Sequence, residues 1–293
     1  MVTVVSVKSF AGLIHDLLKS DRDVNMAVGG MTGEGKSTFS AKIQKAYAHL
    51  SGDDWSFQRM TWSRKELMKW IDGEGENKEG RLPEYSAVLP DELFLMFYSR
   101  NWYEKEQIDA IATFNMCRDR HLFLAGNVPN FWGLDSAFRD RIRYYAYIPT
   151  RGVAWIFQQE NNPFCKDQWN TSDNMKSFRK NRSPYKCPNF VFEVHFDDWN
   201  AEEKKAYLQV RNTKRVEAVE VVKEDRAFNK MGMVGSSLGR LLLHLREVHG
   251  VKNKELCVIA GMSEPTLIRY VKLGMREAEN FSLRAKNLKE LQH

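Results

Sequence analysis

The chain has 293 residues, 43% hydrophobic and 28% charged, which suits a soluble protein with a substantial core and is too polar for a membrane-embedded one. No apolar run approaches the roughly 20 residues of a membrane span, so no membrane insertion is expected. The net charge of +6 favours a polyanionic partner without identifying one, and the four cysteines (Cys117, Cys165, Cys187, Cys257) contain no C-x-x-C pair, so neither a zinc site nor a disulfide framework is indicated.

Residues 1–8 are apolar but too short for a signal peptide, which predicts a cytoplasmic protein. Residues 8–19 read as an amphipathic helix and residues 23–28 as a short β-strand. Next come Gly30, Met31, Thr32, Gly33, Glu34, Gly35, Lys36 and Ser37, which satisfy G-x-x-x-x-G-K-[ST]. The glycines permit a backbone turn in which successive N–H groups converge on one concavity, a seat for phosphate oxygens. Lys36 would meet the β and γ phosphates, the Ser37 hydroxyl would ligate Mg²⁺, and Thr38 opens a helix of residues 38–50 whose positive end adds to the attraction.

Residues 55–62 alternate well enough for a strand, and Ser63 is placed to begin a helix ending near Ile71. A polar loop, residues 72–81, separates this from an apolar strand that delivers Asp91 and Glu92. Downstream of a phosphate loop, Asp91 reads as the carboxylate of the Mg²⁺ shell and Glu92 as the base that orients and deprotonates the attacking water. Pro90, just before the pair, is expected to bend the strand end. A long helix over residues 101–120 leads to a strand of residues 121–127, which puts Asn127 at the tip of a strand beside the acidic one, where a γ-phosphate sensor belongs. Arg139, Arg141 and Arg143 precede an aromatic strand. Two readings of them stay open: charge-stabilising fingers for a neighbouring subunit's nucleotide, or partners of Asp135 and Asp140.

The order of Gly30 to Ser37, Asp91-Glu92, residues 99–102, residues 122–127 and residues 134–143 resembles the P-loop ATPases with a catalytic glutamate, in the FtsK/HerA and zonula-occludens-toxin-like branch carried by phages and mobile elements. The resemblance covers about residues 5–215. It implies a central parallel sheet flanked by helices, ATP and Mg²⁺ as cofactors, a homo-oligomeric ring (often a hexamer) and work on double-stranded DNA. The chain departs from that branch in offering Asn127 where a glutamine is common, and in lacking the membrane segment of the toxin-like assembly proteins.

Two further strands are expected at residues 153–157 and 190–196, extending or capping the sheet. Between them a basic loop, residues 176–186, carries Arg179, Lys180 and Arg182 among aromatic residues, and reads either as a nucleic-acid track or as a solvated face. The charged run of residues 214–230 reads as linker. The last part reads as a helix-turn-helix: a helix over residues 237–248, a second capped by Asn253, a turn at Gly261-Met262, and a third capped by Ser263. Leu256, Cys257, Ala260, Met262 and Leu267 take buried places, leaving Ser263, Glu264, Thr266, Arg269 and Lys272 outward for a DNA major groove. A helical hairpin for protein contact would show the same spacing.

The expected organisation is therefore an ATPase domain over residues 1–225, a linker over 226–235 and a DNA-binding domain over 236–293. Two functions fit it: an ATP-hydrolysing DNA motor for viral genome packaging (in the host cytoplasm) or mobile-element DNA translocation, or an ATP-gated DNA-binding regulator that does not translocate.

Overall fold

The computed structural model describes residues 2–99, 105–160, 168–169, 171–215, 241–242, 244–246, 250–268 and 270–272. The chain divides into two compact units, residues 1–218 and 219–293.

The first unit opens with β1 (Val4–Ser6) and α1 (Val7–Lys19), the latter started by Ser6, whose hydroxyl accepts from the Ser9 N–H at 3.0 Å. Then follow β2 (Asn25–Gly30), α2 (Lys36–Ser51), β3 (Met60–Thr61), α3 (Arg64–Asp72), β4 (Ala87–Pro90) and α4 (Leu93–Met96). After these come α5 (Lys105–Met116), β5 (Phe123–Asn127), α6 (Ser136–Arg139), β6 (Tyr144–Thr150), β7 (Val153–Gln158), α7 (Thr171–Asn181), β8 (Phe190–His195) and α8 (residues 201–215).

The strands form one sheet in the order β1-β8-β7-β6-β2-β5-β4-β3. From β6 through β3 all neighbours are parallel, and β1 is parallel to β8; β7 alone runs antiparallel to both its neighbours. The sheet is thus mixed rather than wholly parallel, because β6 and β7 are joined by a tight turn at residues 151–152 that leaves no room for a crossover helix.

Alternation along the central strands sorts side chains to two cores. Met26 and Val28 of β2, with Phe123 and Ala125 of β5, pack on Phe10 and Ile14 of α1 and Phe39, Ile43 and Tyr47 of α2. On the opposite face Ala27, Val88 and Leu124 pack with Leu67 and Ile71 of α3, Phe97, Ala110 of α5 and Phe138 of α6. This two-sided burial explains why the central strands are apolar apart from Asn25 and Asn127 at their ends.

Several expected elements differ. Residues 55–62 contain only the two-residue β3, preceded by a 3₁₀ turn at Phe57–Arg59, because Ser56 caps that turn by accepting from the Gln58 N–H. The predicted helix of residues 101–120 is helical from Lys105 and tightens to 3₁₀ at Cys117–Arg120; residues 101–104 lie outside the described set. Residues 176–186 are not a loop: they include the end of α7 and a 3₁₀ turn at Pro184–Lys186. The expected linker does not begin at Lys214. That residue is in α8, its ammonium donating to the Gln58 and Met60 carbonyls at 2.7 and 3.1 Å and to Glu66 at 2.7 Å.

In the second unit, residues 241–242 and 244–246 are helical, α9 spans Asn253–Ala260, and residues 264–268 and 270–272 are helical again. Leu242, Leu256, Leu267 and Val271 form its core, with Cys257, Ala260 and Met262 partly buried against it. The cap of α9 is Lys252, one residue earlier than expected, and the Glu255 carboxylate accepts from its backbone N–H at 3.1 Å. Gly261 ends α9 in the left-handed region at φ 61°, a conformation that glycine adopts without strain. Ser263, Glu264 and Lys272 are exposed, whereas Thr266 is half-buried with its hydroxyl 2.9 Å from that of Ser263. Arg269 and the 226–235 stretch lie outside the described residues.

Candidate active site

The site lies where the carboxyl ends of β2, β5 and β4 meet the first turn of α2. Gly30, Gly33 and Gly35 take φ values of 139°, 91° and 97°, which side-chain-bearing residues rarely adopt. At Gly30 space is also limiting, since a Cβ would come 2.6 Å from the Ile148 carbonyl oxygen. Met31, Thr32 and Gly33 are exposed at the tip, Glu34 is half-buried, and Thr38 is buried where α2 turns toward the core. The Lys36 ammonium donates to the Gly30 and Met31 carbonyls at 2.9 and 3.1 Å, which holds its charge within the loop.

Because β5 is inserted between β2 and β4, Asn127 stands between the phosphate loop and the acidic strand. The Ser37 hydroxyl donates to Asp91 Oδ1 at 2.8 Å. The Asn127 amide donates to the same Asp91 oxygen and, at 3.2 Å, to Ser37 Oγ. The Ser40 hydroxyl in turn donates to Asn127 Oδ1 at 2.6 Å, so α2 fixes the amide's orientation. Sequence reading placed these residues individually; the fold joins Ser37, Asp91 and Asn127 into one network.

Pro90 closes β4, and the Asp91 N–H still pairs with the Thr61 carbonyl at 2.9 Å, so the strand end is not bent away from the sheet. Glu92 follows at the sharp turn into α4, with φ −152° and ψ 68°. Gly126 of the neighbouring strand makes this turn possible: a Cβ there would lie 2.3 Å from Leu93 Cδ1 and 2.9 Å from Pro90 Cγ.

Burial raises the pKa of Asp91, and the hydrogen bonds from Ser37 and Asn127 act against it. Burial and the adjacent Asp91 charge raise that of Glu92, with Arg215, Lys36 and Arg211 opposing. A half-buried carboxyl with a raised pKa is suited to accept a proton from water.

The donor set fits Mg²⁺. A hydroxyl and a carboxylate already share a hydrogen bond, all candidate ligand atoms are oxygen, and Gly33 at the loop tip faces open space. Ser37 and Asp91 would hold the ion, which when bound supplies charge neutralisation between the β and γ phosphates.

Among the described residues none of the three candidate finger arginines is hydrogen-bonded into this network. Arg141 and Arg143 precede β6, whose Tyr144 pairs with Met26 near the start of β2, so they sit at the sheet end opposite the phosphate loop. The Arg139 guanidinium lies 5.4 Å over the Trp132 ring. Their expected pairing with Asp135 and Asp140 is not formed among the described residues: the Asp135 carboxylate caps α6, accepting from the Ala137 N–H at 2.9 Å. Arg179, Lys180 and Arg182 are exposed on and just after α7, where Phe178 is 43% exposed.

Sequence reading missed α8. Its Arg211 and Arg215 favour the charged forms of both Asp91 and Glu92, and burial together with the Asp91 charge raises the pKa of its Tyr207. The signal was present: Asn200 followed by Glu203 is an N-cap and N3 pair, and Tyr207, Arg211 and Arg215 recur at a helical interval of four.

No protein-family model matches the chain, and no curated protein matches it. Among solved structures it is similar to PCH-2 of C. elegans, at 15% identity over 50% of this chain and 42% of that one, with a TM-score of 0.33. It is similar to the AAA domain of FIGL-1 at 17% identity over 49% of this chain and 50% of that one, TM-score 0.33. A RuvB variant of Thermotoga maritima matches at 14% identity over 93% of this chain and 86% of that one, TM-score 0.32. The chain thus spans half or less of the PCH-2 and FIGL-1 structures, and superpositions at these scores carry no functional information. What the chain's own coordinates give is a mixed α/β sheet flanked by helices with a strand, glycine loop and helix in series, consistent with a P-loop nucleotide-binding fold.

Proposed function

We propose that this chain is a Mg²⁺-dependent ATPase that works on double-stranded DNA. One observation carries the hydrolytic part: Ser37, Asp91 and Asn127 share one hydrogen-bond network at the mouth of a glycine loop, with Glu92 on the next residue. Gly30 to Thr38 seat the triphosphate, Lys36 neutralises its charge, Ser37 and Asp91 hold the cation, Asn127 reads the terminal phosphate and Glu92 takes the proton of the attacking water. A half-buried, raised-pKa carboxylate beside a cation-holding one is the arrangement that such proton transfer needs.

The DNA part rests on the exposed basic residues Arg179, Lys180 and Arg182 and on the second unit, where Ser263, just ahead of the helical residues 264–268, and Lys272 are exposed. That unit, as a helix-turn-helix module with Thr266 and Arg269, would contact a major groove. The motor reading, a homo-oligomeric ring that packages or moves DNA, draws on the sequence resemblance to the FtsK/HerA and zonula-occludens-toxin-like branch. The experiment is ATP turnover by the full chain with and without long duplex DNA, together with displacement of a triplex-forming strand from that duplex. Stimulated turnover with displacement is expected of the motor. Stimulation without displacement supports the ATP-gated regulator, and turnover indifferent to DNA removes the DNA assignment.

A further inference from the structure

The half of the sheet formed by β6, β7, β8 and β1 has two unlike faces. On one, Ala146, Ile148, Ala154, Ile156, Phe192 and Val194 are buried in the core that α1 closes, with the Phe10 ring edge-on to Tyr144 and Phe192 at 5.3 and 5.1 Å. On the other, Tyr147 is in register with Trp155, Trp155 with Glu193, and Glu193 with Val4. Among the described residues, Tyr147, Trp155 and Tyr185 belong to none of the buried clusters. Tyr147 and Trp155 are half-buried, Tyr185 is 39% exposed, and Val4 at the sheet edge is 54% exposed.

The three rings form a row. Tyr147 stacks beside Trp155 with centroids 5.9 Å apart, and the Tyr185 ring meets Trp155 edge-on at 6.0 Å. One carboxylate holds the row: Glu193 Oε2 accepts from the Tyr185 hydroxyl at 2.8 Å and from Trp155 Nε1 at 3.2 Å, while its Oε1 lies 2.6 Å from His195 Nε2. These bonds occupy both Glu193 oxygens and fix the rings before a ligand arrives, which lowers the entropy cost of binding.

Cations adjoin one end of the row. Tyr185 sits on the turn Pro184–Lys186, and the Ser177 hydroxyl donates to the Lys186 carbonyl at 2.5 Å, so the later part of α7 lies against that turn. Arg179, Lys180, Arg182 and Lys186 are exposed and form no ion pair among the described residues, whereas Lys176, earlier on α7, is paired with Asp173 at 3.6 Å. Unpaired cations favour an anion, and exposed rings favour a flat apolar surface. A single nucleic-acid strand presents both along its length; a duplex does not, because its base faces are stacked on one another.

We infer that the open face of β6, β7 and β8 is a platform for a single nucleic-acid strand, with bases stacked on Tyr147, Trp155 and Tyr185 and phosphates at Lys186, Arg182 and the last turn of α7. The inference rests on the nucleic-acid part of the reading above for Arg179, Lys180 and Arg182, and it adds a second form of ligand to the duplex proposed there. It does not depend on the ATP site.

The test is fluorescence anisotropy of a labelled oligothymidylate of about 16 nucleotides with the full chain, with thermal melting as the check on folding. The parent is expected to bind at low salt, and an unlabelled single strand to compete better than a hairpin duplex of equal length. Tyr185→Leu and Trp155→Leu should each weaken binding about tenfold, because Leu keeps apolar area and loses the ring face. Tyr185→Phe keeps the ring and loses only the bond to Glu193, so it should stay within about threefold of the parent. The double variant Arg182→Ala with Lys186→Ala should flatten the log–log salt slope by about 0.7 for each phosphate contact removed. Should Trp155→Leu fail to fold, the Leu and Phe variants of Tyr185, on its exposed turn, decide the matter. A parent that does not bind the single strand, Tyr185→Leu binding like the parent, or a salt slope unchanged in the double variant overturns the inference. So does a parent that sediments as a dimer, is dissociated by Tyr185→Leu and binds no oligothymidylate, which makes this face a contact between copies. Duplex binding and ATP turnover measured on the same parent protein report separately on the reading above: their absence would overturn that reading while single-strand binding stood.

Discussion

Ser37 and Asp91 are 54 residues apart in sequence, and the Ser37 hydroxyl donates a 2.8 Å hydrogen bond to Asp91 Oδ1. Two strand ends and one helix start must be in register for this contact, so it reports on the assembly of the whole site. Replacing Asp91 by Ala leaves the buried Asn127 amide without one acceptor. The expected cost is about 1–3 kcal/mol of stability, read by thermal or urea denaturation, together with a large increase in the Mg²⁺ needed for nucleotide binding. Asp91→Asn should recover much of the stability and little of the Mg²⁺ dependence.

Gly126 tests how closely the acidic turn is packed. A Cβ at this position meets Leu93 at 2.3 Å and Pro90 at 2.9 Å, so Gly126→Ala should push the Glu92 turn away from β5. Overpacking of this kind costs typically about 1–3 kcal/mol. The expected outcome is a folded protein with nearly unchanged ATP affinity and a kcat reduced by about tenfold or more. An Ala variant with parental kcat would show that the turn has room to adjust.

Much of this arrangement was legible in the sequence. The glycine loop announces itself because its chemistry demands particular residues at fixed spacing, and Asp91-Glu92 and Asn127 could be placed because each ends a short apolar strand. The strand order was not legible, since nothing local says that β5 enters between β2 and β4. Nor was the short β3: residues 55–62 alternate as a strand would, but Ser56 and the packing of Phe57 against both Trp55 and Trp199 favour a 3₁₀ turn. The basic stretch around Arg179 resembles a loop in sequence because none of its side chains is buried in α7, which removes the apolar periodicity by which helices are recognised. The contribution of α8 was hidden for another reason: its partners, Lys42, Met60 and Glu66, are each separated from it by more than a hundred residues.

Glu203 gives a pH signature for the seating of α8. Burial works against its ionisation, but hydrogen bonds from Lys42, Lys45 and the Asn200 backbone outweigh this and bring its pKa from 4.5 down to about 2. A depressed carboxylate pKa means that the folded state binds protons less readily than the unfolded one. The contribution is therefore full above about pH 4.5 and is lost as pH falls toward 2. Discounted for the exposed Lys45, it is on the order of 2 kcal/mol. The stability difference between the parent and Glu203→Gln should accordingly be present at neutral pH and shrink through this acid range. A difference that does not change with pH would remove the ion pairs as its cause.

The DNA assignment predicts a salt dependence. Binding of the full chain to duplex DNA should weaken steeply as salt rises, because each neutralised phosphate releases counterions. Lys272→Ala, or Arg179→Ala with Lys180→Ala, should flatten the log–log slope by about one unit for each phosphate contact removed. Slopes identical to the parent's would take these side chains out of the interface.

The central claim is that Gly30 to Ser37, Asp91 and Glu92 form a hydrolytic ATP site, and single-turnover measurement with labelled ATP and Mg²⁺ on three proteins tests it most directly. The parent should bind and hydrolyse. Lys36→Ala should fail to bind, since the backbone cradle alone does not balance the triphosphate charge. Glu92→Gln should bind with near-parental affinity and retain intact ATP, because the amide preserves shape but does not accept the proton. Hydrolysis by Glu92→Gln at the parental rate, or undiminished binding by Lys36→Ala, would contradict the account.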